Sequence, residues 1–175
     1  GGVLAPLLRF GTSAQKERLL PCATRGEIVL TAALEEESTR DFTAPAAHAR
    51  RDGSGYRVSG EKFAVPFAHR AERVLLGATS DDGVVVLLVD PRAPGVTLTP
   101  MKTSSYEPQS LLVMDDVAVT ADDVLAGPRD GADVLRHAME HMTVALCAHQ
   151  LGVTDTLLRQ TAAYTSERKQ FGVPI

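Results

Sequence analysis

The segment Tyr164-Thr165-Ser166-Glu167-Arg168-Lys169-Gln170-Phe171-Gly172-Val173-Pro174 closes a long run in which apolar residues recur at every third or fourth position. Over residues 133–164 that spacing predicts one helix with a single buried stripe. The stripe consists of Leu135, Met139, Met142, Leu146, Leu151, Val153, Leu157 and Tyr164. We expect Gly172 to cap this helix and Pro174 to stop it, because these residue types favour helix ends. Arg168 then lies near the end of a rigid helix.

Arg168 has two possible roles at such a position. A basic side chain late in a helix can interact with the last carbonyl groups and with the helix dipole. Its planar guanidinium can also bind a phosphate group through two parallel hydrogen bonds. The residues alone leave both roles open, and the first is the more common one in proteins.

The composition is that of a globular protein of one or two domains, with 175 residues of which 44% are hydrophobic and 23% charged. A net charge of -4, from 18 basic and 22 acidic residues, gives no general attraction to nucleic acid or anionic membranes. No apolar run is long enough for a membrane span, so we expect a cytoplasmic protein. Cys22 and Cys147 lack metal-binding spacing and predict free thiols. Because there is no initial Met, we expect a part of a longer protein.

The periodicity changes twice along the chain and predicts three parts: helical residues 1–26, a β-domain over 27–128 and a helical part over 129–175. In the first part we expect Thr12 or Ser13 to cap a short helix that Pro21 ends. Strands are predicted at 27–33, 47–50, 56–58, 63–66, 73–78, 84–90, 95–100, 110–113 and 117–119. Short strands separated by turns are typical of an antiparallel sandwich or barrel. The predicted fold class is therefore α+β and multidomain, with an antiparallel β-domain flanked by helices.

Four segments of the chain carry motifs, in a fixed order. They are Gly11-Thr12-Ser13-Ala14-Gln15-Lys16-Glu17-Arg18-Leu19-Leu20-Pro21, Asp52-Gly53-Ser54-Gly55-Tyr56-Arg57-Val58-Ser59-Gly60-Glu61-Lys62, Asp116-Val117-Ala118-Val119-Thr120-Ala121-Asp122-Asp123-Val124-Leu125-Ala126-Gly127 and Arg168-Lys169-Gln170-Phe171-Gly172. Each motif alone is weak, but the four together, at this spacing, resemble the acyl-CoA dehydrogenase family over essentially the whole chain. The three parts then correspond to the end of its N-terminal helical domain, its middle β-domain and the first helix of its C-terminal domain.

The resemblance implies an FAD flavoprotein of lipid metabolism that dehydrogenates an acyl-CoA thioester between its α and β carbons. Electrons would pass to an electron-transfer flavoprotein, and the assembly would be a homotetramer or dimer of dimers. In the family, the residues that match Arg168, Gln170 and Phe171 reach the FAD of the neighbouring subunit. This favours the phosphate-binding role of Arg168.

The flavin loop of the family aligns with residues 33–41, where this chain departs from the usual pattern. Leu34 replaces a Thr whose hydroxyl and amide contact the flavin in the family, and Glu36 replaces a Pro. Arg40 replaces a Ser beside the acyl chain, which makes Arg40 the candidate substrate-binding residue. Backbone groups of Ala33 and Leu34 remain candidates to bind the flavin ring.

Two further departures lie downstream. Ala64 stands where the family has a Trp that covers the flavin, and Pro66 stands where a Thr hydrogen-bonds flavin N5. Proline offers neither a hydroxyl nor an amide hydrogen, so Pro66 cannot make that contact in the usual way.

The catalytic base is not identified by the sequence. Most family members place it beyond the part that this chain matches, and a minority place it at the position of Met142. Glu140 is two residues away, on the opposite face of the helix.

Two alternatives to a complete dehydrogenase arise from the residues. His137, Glu140 and His141 fit the H-x-x-E-H pattern of some zinc peptidases, although so short a pattern often occurs by chance. The changes at Leu34, Ala64 and Pro66 also suit a non-catalytic or flavin-deficient partner subunit of a heteromeric dehydrogenase. The zinc hypothesis is the more remote of the two, and we predict no metal site.

Overall fold

The protein is described by a computed structural model that covers residues 2–174. Its contacts divide it into two units, Gly1–Met139 and Glu140–Ile175. Each unit is described by itself.

An eight-stranded sheet forms the centre of the first unit. Its strands are β1 Val29–Ala33, β2 His48–Asp52, β3 Gly55–Pro66, β4 Ala71–Ser80, β5 Gly83–Val89, β6 Val96–Met101, β7 Gln109–Val119 and β8 Val124–Ala126. They are ordered β6-β7-β3-β2-β4-β5-β8, and β1 pairs with β4. The β4–β5 hairpin supplies much of the core, which includes Val74, Leu76, Val85 and Leu87, all fully buried.

The sheet is mostly antiparallel, as predicted, but β1 runs parallel to β4 along its whole length. A single residue pair, His48 and Thr79, also joins β2 to β4 in parallel. Alternation of apolar and polar residues indicates a strand and its buried face but not the direction of its neighbour. The parallel pairing was therefore outside what the pattern alone could predict.

Two long, bent strands replace four short predicted ones. The predicted strands 56–58 and 63–66 are the two ends of β3, and 110–113 and 117–119 belong to β7. Register shifts between Val58 and Gly60 and between Lys62 and Val65 bend β3. A β-bulge interrupts the alternation of side chains without ending the strand, which explains the split prediction. The three-residue strand β8 was not predicted.

Helices α1 Leu4–Phe10 and α2 Ser13–Thr24 precede the sheet. Thr12 caps α2, as predicted: its hydroxyl accepts from the Gln15 amide, and the Gln15 side chain accepts from the Thr12 amide. Pro21 lies inside α2 and does not end it, so that prediction was wrong. A proline removes one helical hydrogen bond, but its own carbonyl still accepts from the Arg25 amide at 3.2 Å, which completes the last turn.

Helix α3 runs from Gly131 to Glu167 and continues across the division between the units. Gly172 does not cap it, contrary to the prediction. Phe171 and Gly172, with φ of 52° and 85°, instead form the turn of a hairpin between β9 Lys169–Gln170 and β10 Val173–Pro174. Arg168 follows the helix directly, and its amide donates to the Tyr164 carbonyl at 2.9 Å.

Burial of the α3 stripe follows the prediction only at its start. Leu135 is fully buried and Met139 half-buried, whereas Leu146, Leu151 and Leu157 of the second unit are more than half exposed. Periodicity indicates which face of a helix is apolar, but burial also requires an element packed on that face. No helix among residues 2–174 has the length and apolarity that crossing a membrane requires.

Candidate functional site

The start of the 34–47 loop lies beside the end of β3. The Thr31 hydroxyl donates to the Pro66 carbonyl at 2.7 Å, and the Phe63 amide donates to the Glu35 carbonyl at 2.8 Å. These two bonds align the end of β1 and its loop with residues 63–66. The structure thereby brings together four residues predicted for the cofactor: Ala33, Leu34, Ala64 and Pro66.

A cavity of about 710 Å³ opens at this edge. Its apolar wall consists of Leu34, Phe42, Phe63 and Met139. Its charged wall includes Glu35, Glu37 and Arg40, so the predicted substrate-binding residue faces the cavity. An apolar pocket with a few polar groups is the usual form of a small-molecule site. Phe42 and Met139 were not predicted, because neither lies in a recognisable motif.

Lys62 and Glu36 form a buried ion pair next to the cavity. Their Nζ and Oε1 atoms lie 2.5 Å apart, and the two side chains are only 1% and 3% exposed. Glu36 also accepts from the backbone amides of Ala46, at 2.5 Å, and Ala47, at 3.1 Å. The pair therefore joins the beginning and the end of the 34–47 loop to β3.

The pKa values of the two groups reflect burial and pairing. Burial alone would raise the pKa of the Glu36 carboxyl, but hydrogen bonds from Lys62, Ala46 and Ala47 outweigh it and hold that pKa below its ordinary value. Burial lowers the pKa of Lys62, and the carboxylate of Glu36 offsets part of that shift. We expect both groups to be charged near neutral pH.

Residues 64–67 offer few hydrogen-bond donors to a ligand. Pro66 has no amide hydrogen, and its carbonyl already accepts from the Thr31 hydroxyl. The Phe67 amide donates to the Pro108 carbonyl at 2.9 Å. Ala64 lies in the β3 bulge with φ of 51° and presents only a methyl group. The position predicted to contact flavin N5 thus supplies no donor from its own residue.

The other three predicted cofactor residues, Arg168, Gln170 and Phe171, lie in the second unit and are exposed. The Arg168 guanidinium stacks over the Tyr164 ring, 5.3 Å from its centroid, and hydrogen-bonds the Tyr164 hydroxyl. Stacking on an aromatic face leaves the edge of a guanidinium open to an anion. Their role in binding a cofactor stays a prediction.

Geometry gives the zinc hypothesis no support. No group of three or more His, Cys, Asp or Glu side chains within residues 2–174 is placed to hold a metal ion. His137 instead packs edge-on against Phe10, with ring centroids 5.4 Å apart, and its Nδ1 lies 3.5 Å from the Arg9 guanidinium. Glu140 is exposed and Met142 half-buried, and neither is identified as a catalytic base.

The chain is similar to several acyl-CoA dehydrogenases along nearly its whole length. Acyl-CoA dehydrogenase FadE28 of Mycobacterium tuberculosis is 36% identical over 98% of this chain and 47% of its own length. A solved structure named Tcur3481-Tcur3483 steroid ACAD is 38% identical over 97% of this chain and 44% of that one, with a TM-score of 0.83. A glutaryl-CoA dehydrogenase from Mycobacterium smegmatis, solved in complex with FADH2, is 26% identical over 97% of this chain and 45% of that one, with a TM-score of 0.89.

No protein-family model matches the chain. The chain spans about half the length of the curated relatives that it matches. Within that half, the solved structures share the fold of this chain, with TM-scores of 0.89 and 0.92. The curated relatives and the solved structures consistently indicate a part of an acyl-CoA dehydrogenase, about 45% of the full-length proteins.

Proposed function

We propose that the protein takes part in the FAD-dependent α,β-dehydrogenation of an acyl-CoA thioester. The observation that carries the proposal is the edge where β1, its loop and the end of β3 meet beside the cavity of about 710 Å³. The names of similar proteins support it, since FadE28 is an acyl-CoA dehydrogenase and the Mycobacterium smegmatis relative was solved with FADH2. The domain boundaries that we propose remain 1–26, 27–128 and 129–175.

The residues of this chain fit FAD in part. Leu34 lines the cavity and Ala33 directly precedes it at the end of β1, so their backbone groups are the candidates to hold the flavin ring. The exposed guanidinium of Arg168 suits a phosphate. When bound, FAD would accept a hydride from the β carbon after a base removes the α proton. Pro66 and Ala64 do not fit the usual ring contacts, so the chain would hold the flavin through its backbone and not through those side chains.

The cavity would receive the acyl part of the substrate. Its apolar wall of Leu34, Phe42, Phe63 and Met139 suits a hydrocarbon, and Arg40 would lie beside the chain. We further propose that the protein is cytoplasmic, that an electron-transfer flavoprotein accepts the electrons, and that the neighbouring subunit of a tetramer places Arg168, Gln170 and Phe171 against the flavin.

An activity assay tests the proposal. The purified protein is supplied with FAD, an artificial electron acceptor and a series of saturated acyl-CoA thioesters, and the enoyl-CoA product is detected by mass spectrometry. The proposal expects product with at least one thioester and reduced turnover in Arg40→Ala. Flavin-loaded protein that converts none of the series would contradict the proposal.

A second candidate function is that of a partner subunit without a complete flavin site of its own. The observation that favours it is the Pro66 position, where the amide hydrogen is lacking and the carbonyl is already bonded to Thr31. Expression alone and together with a related dehydrogenase chain separates the two candidates. Colourless protein alone but flavin-loaded protein in a complex would support the partner role, whereas flavin-loaded protein alone would support the complete enzyme.

A further inference from the structure

One carboxylate holds three segments of the first unit together. The Glu36 oxygens accept from Lys62 on β3 and from the amides of Ala46 and Ala47, which directly precede β2. Glu36 itself lies near the beginning of the 34–47 loop. The loop is therefore closed on itself through a single side chain, since Ala46 and Ala47 follow Glu36 by ten and eleven residues.

The same carboxylate lines the cavity where the loop and β3 meet. Its sequence neighbours Glu35 and Glu37 line the cavity from the loop side, and Phe63, the neighbour of Lys62, lines it from β3. The Phe63 amide also donates to the Glu35 carbonyl at 2.8 Å. A shift of the Glu36–Lys62 pair would thus displace the cavity residues of the loop and those of β3 together.

A buried pair of this kind contributes little net stability compared with apolar residues of similar volume, because desolvation offsets the attraction. Losing one partner is different, since it leaves a charge that is neither solvated nor paired. Both side chains are almost fully buried, and the described chain has no buried side-chain nitrogen or oxygen without a hydrogen-bond partner. The clearest physical effect of the pair is therefore to fix the two ends of the 34–47 loop against β3.

We infer that Glu36 and Lys62 are positioning residues that lock the 34–47 loop in the shape required at the flavin edge. The pair acts on Leu34 and Glu35, which line the cavity from the loop, and on Phe63, which lines it from β3. The part of this inference that concerns the flavin rests on the proposed function. The part that concerns the loop rests on the hydrogen bonds alone.

Three variants separate local positioning from general stability: Lys62→Met, Glu36→Gln, and the two substitutions combined. Hydrogen–deuterium exchange is measured for amides 34–47 and, as an internal reference, for the β4–β5 hairpin. FAD, added as the probe, is titrated by the quenching of its fluorescence. Arg159→Met, which breaks the exposed pair of Arg159 and Asp155, is the matched control.

The inference expects exchange of the loop amides to rise at least about tenfold in Lys62→Met, and the Kd for FAD to rise by a similar factor. The combined variant removes the unpaired charge, so its global stability recovers while the loop stays open and FAD binding stays weak. Arg159→Met changes neither quantity.

Two results would overturn the inference. One is faster exchange to the same degree in the loop and in the β4–β5 hairpin of the combined variant, since that shows a general structural role. The other is an opened loop with unchanged FAD affinity. If the wild-type protein binds no FAD, the proposed function is contradicted. If loop exchange still depends on the Glu36–Lys62 pair in that case, the positioning role of the pair in the loop remains supported.

Discussion

Ala64 adopts a backbone conformation that favours glycine, with φ of 51° at the bulge of β3. A side chain in this region is strained because Cβ approaches the neighbouring carbonyl oxygen, at a cost of about 1 to 2 kcal/mol. Two residues of β3 face one residue of β7 at this point, which turns the end of β3 towards the cavity edge. The strain therefore lies beside the candidate site.

Ala64→Gly should leave the free energy of unfolding unchanged or raise it by up to about 1 kcal/mol, because relief of strain outweighs the added freedom of the unfolded chain. Ala78→Gly, at a fully buried position of β4, is the control and should lower it by about 1 kcal/mol. Urea unfolding measures both. Equal losses in the two variants would contradict the account of the bulge.

Glu36 makes the cavity loop sensitive to acid. Its pKa in the folded protein lies below the ordinary value of 4.5, so its contribution to stability is fully present above that pH and is lost as pH falls through the lowered pKa. Amides 34–47 should therefore begin to exchange faster below about pH 4.5, before the β4–β5 hairpin does. Exchange measured across an acid series tests this. Opening of the loop on a rise of pH from 5 to about 7 would contradict it.

Single-residue signals in the sequence differed in what they could predict. Thr12 was recognisable as a cap because its partner Gln15 lies three residues on, a purely local pattern. The pairing of Glu36 with Lys62 joins residues 26 positions apart, and no local pattern indicates such a pair. In the sequence, Glu36 is recognisable only as a departure from a motif.

At the scale of elements, α2 is attached to the sheet through Gln15. Its side-chain nitrogen donates to the carbonyls of Asp122 and Val124, both at 2.9 Å, and Gln15 is only 3% exposed. One side chain thus caps the helix and binds it to the segment that leads into β8.

Gln15→Ala should lower the free energy of unfolding by about 2 to 3 kcal/mol, because it removes part of the cap and leaves two carbonyls without their donor. Gln150→Ala is the control, since Gln150 is exposed on α3 and its side-chain nitrogen donates to the Thr154 hydroxyl at 3.3 Å. It should change stability by less than about 0.5 kcal/mol. Chemical denaturation compares the two, and a loss for Gln15→Ala no larger than the control would contradict the attachment.

The two glycines of the second unit should respond in opposite directions. Apart from its chain neighbours and its own helix backbone, no atom of residues 2–174 lies within 4 Å of the place that a Cβ at Gly152 would take. Gly152→Ala should therefore stabilise α3 by up to about 1 kcal/mol. Gly172 has φ of 85°, so Gly172→Ala should weaken the β9–β10 hairpin by about 1 kcal/mol. Circular dichroism melting follows the helix and amide exchange follows the hairpin. A loss of helix in Gly152→Ala would show that this account of α3 is wrong.

Element prediction succeeded where patterns were local and unbroken, and failed at bulges, strand direction and burial. β2 and β3 meet in a hairpin at Asp52-Gly53-Ser54-Gly55, which is a strong and purely local turn signal. The prediction divided β3 into two strands because bulges interrupt its alternation. The parallel pairing of β1 with β4 depends on the long loop that follows β1. The helix was placed correctly, but its stripe is buried only at the start, because periodicity does not show whether an apolar face is covered.

For the molecule as a whole, the family resemblance predicted the α+β fold with its central β-domain better than composition or periodicity could. It placed Ala33, Leu34, Ala64 and Pro66 in two separate motifs, and the structure brings those motifs together. The resemblance did not predict the cavity residues Phe42 and Met139, whose contribution depends on packing between distant segments.

The central claim is that the edge formed by residues 33–35 and 63–66 binds the flavin. Hydrogen–deuterium exchange of the purified protein, compared with and without FAD, tests this most directly. The account predicts slower exchange at 33–35 and 63–66 in the FAD-bound protein and no change in β6 Val96–Met101. Protection that omits both segments, or that appears only in β6, would contradict it.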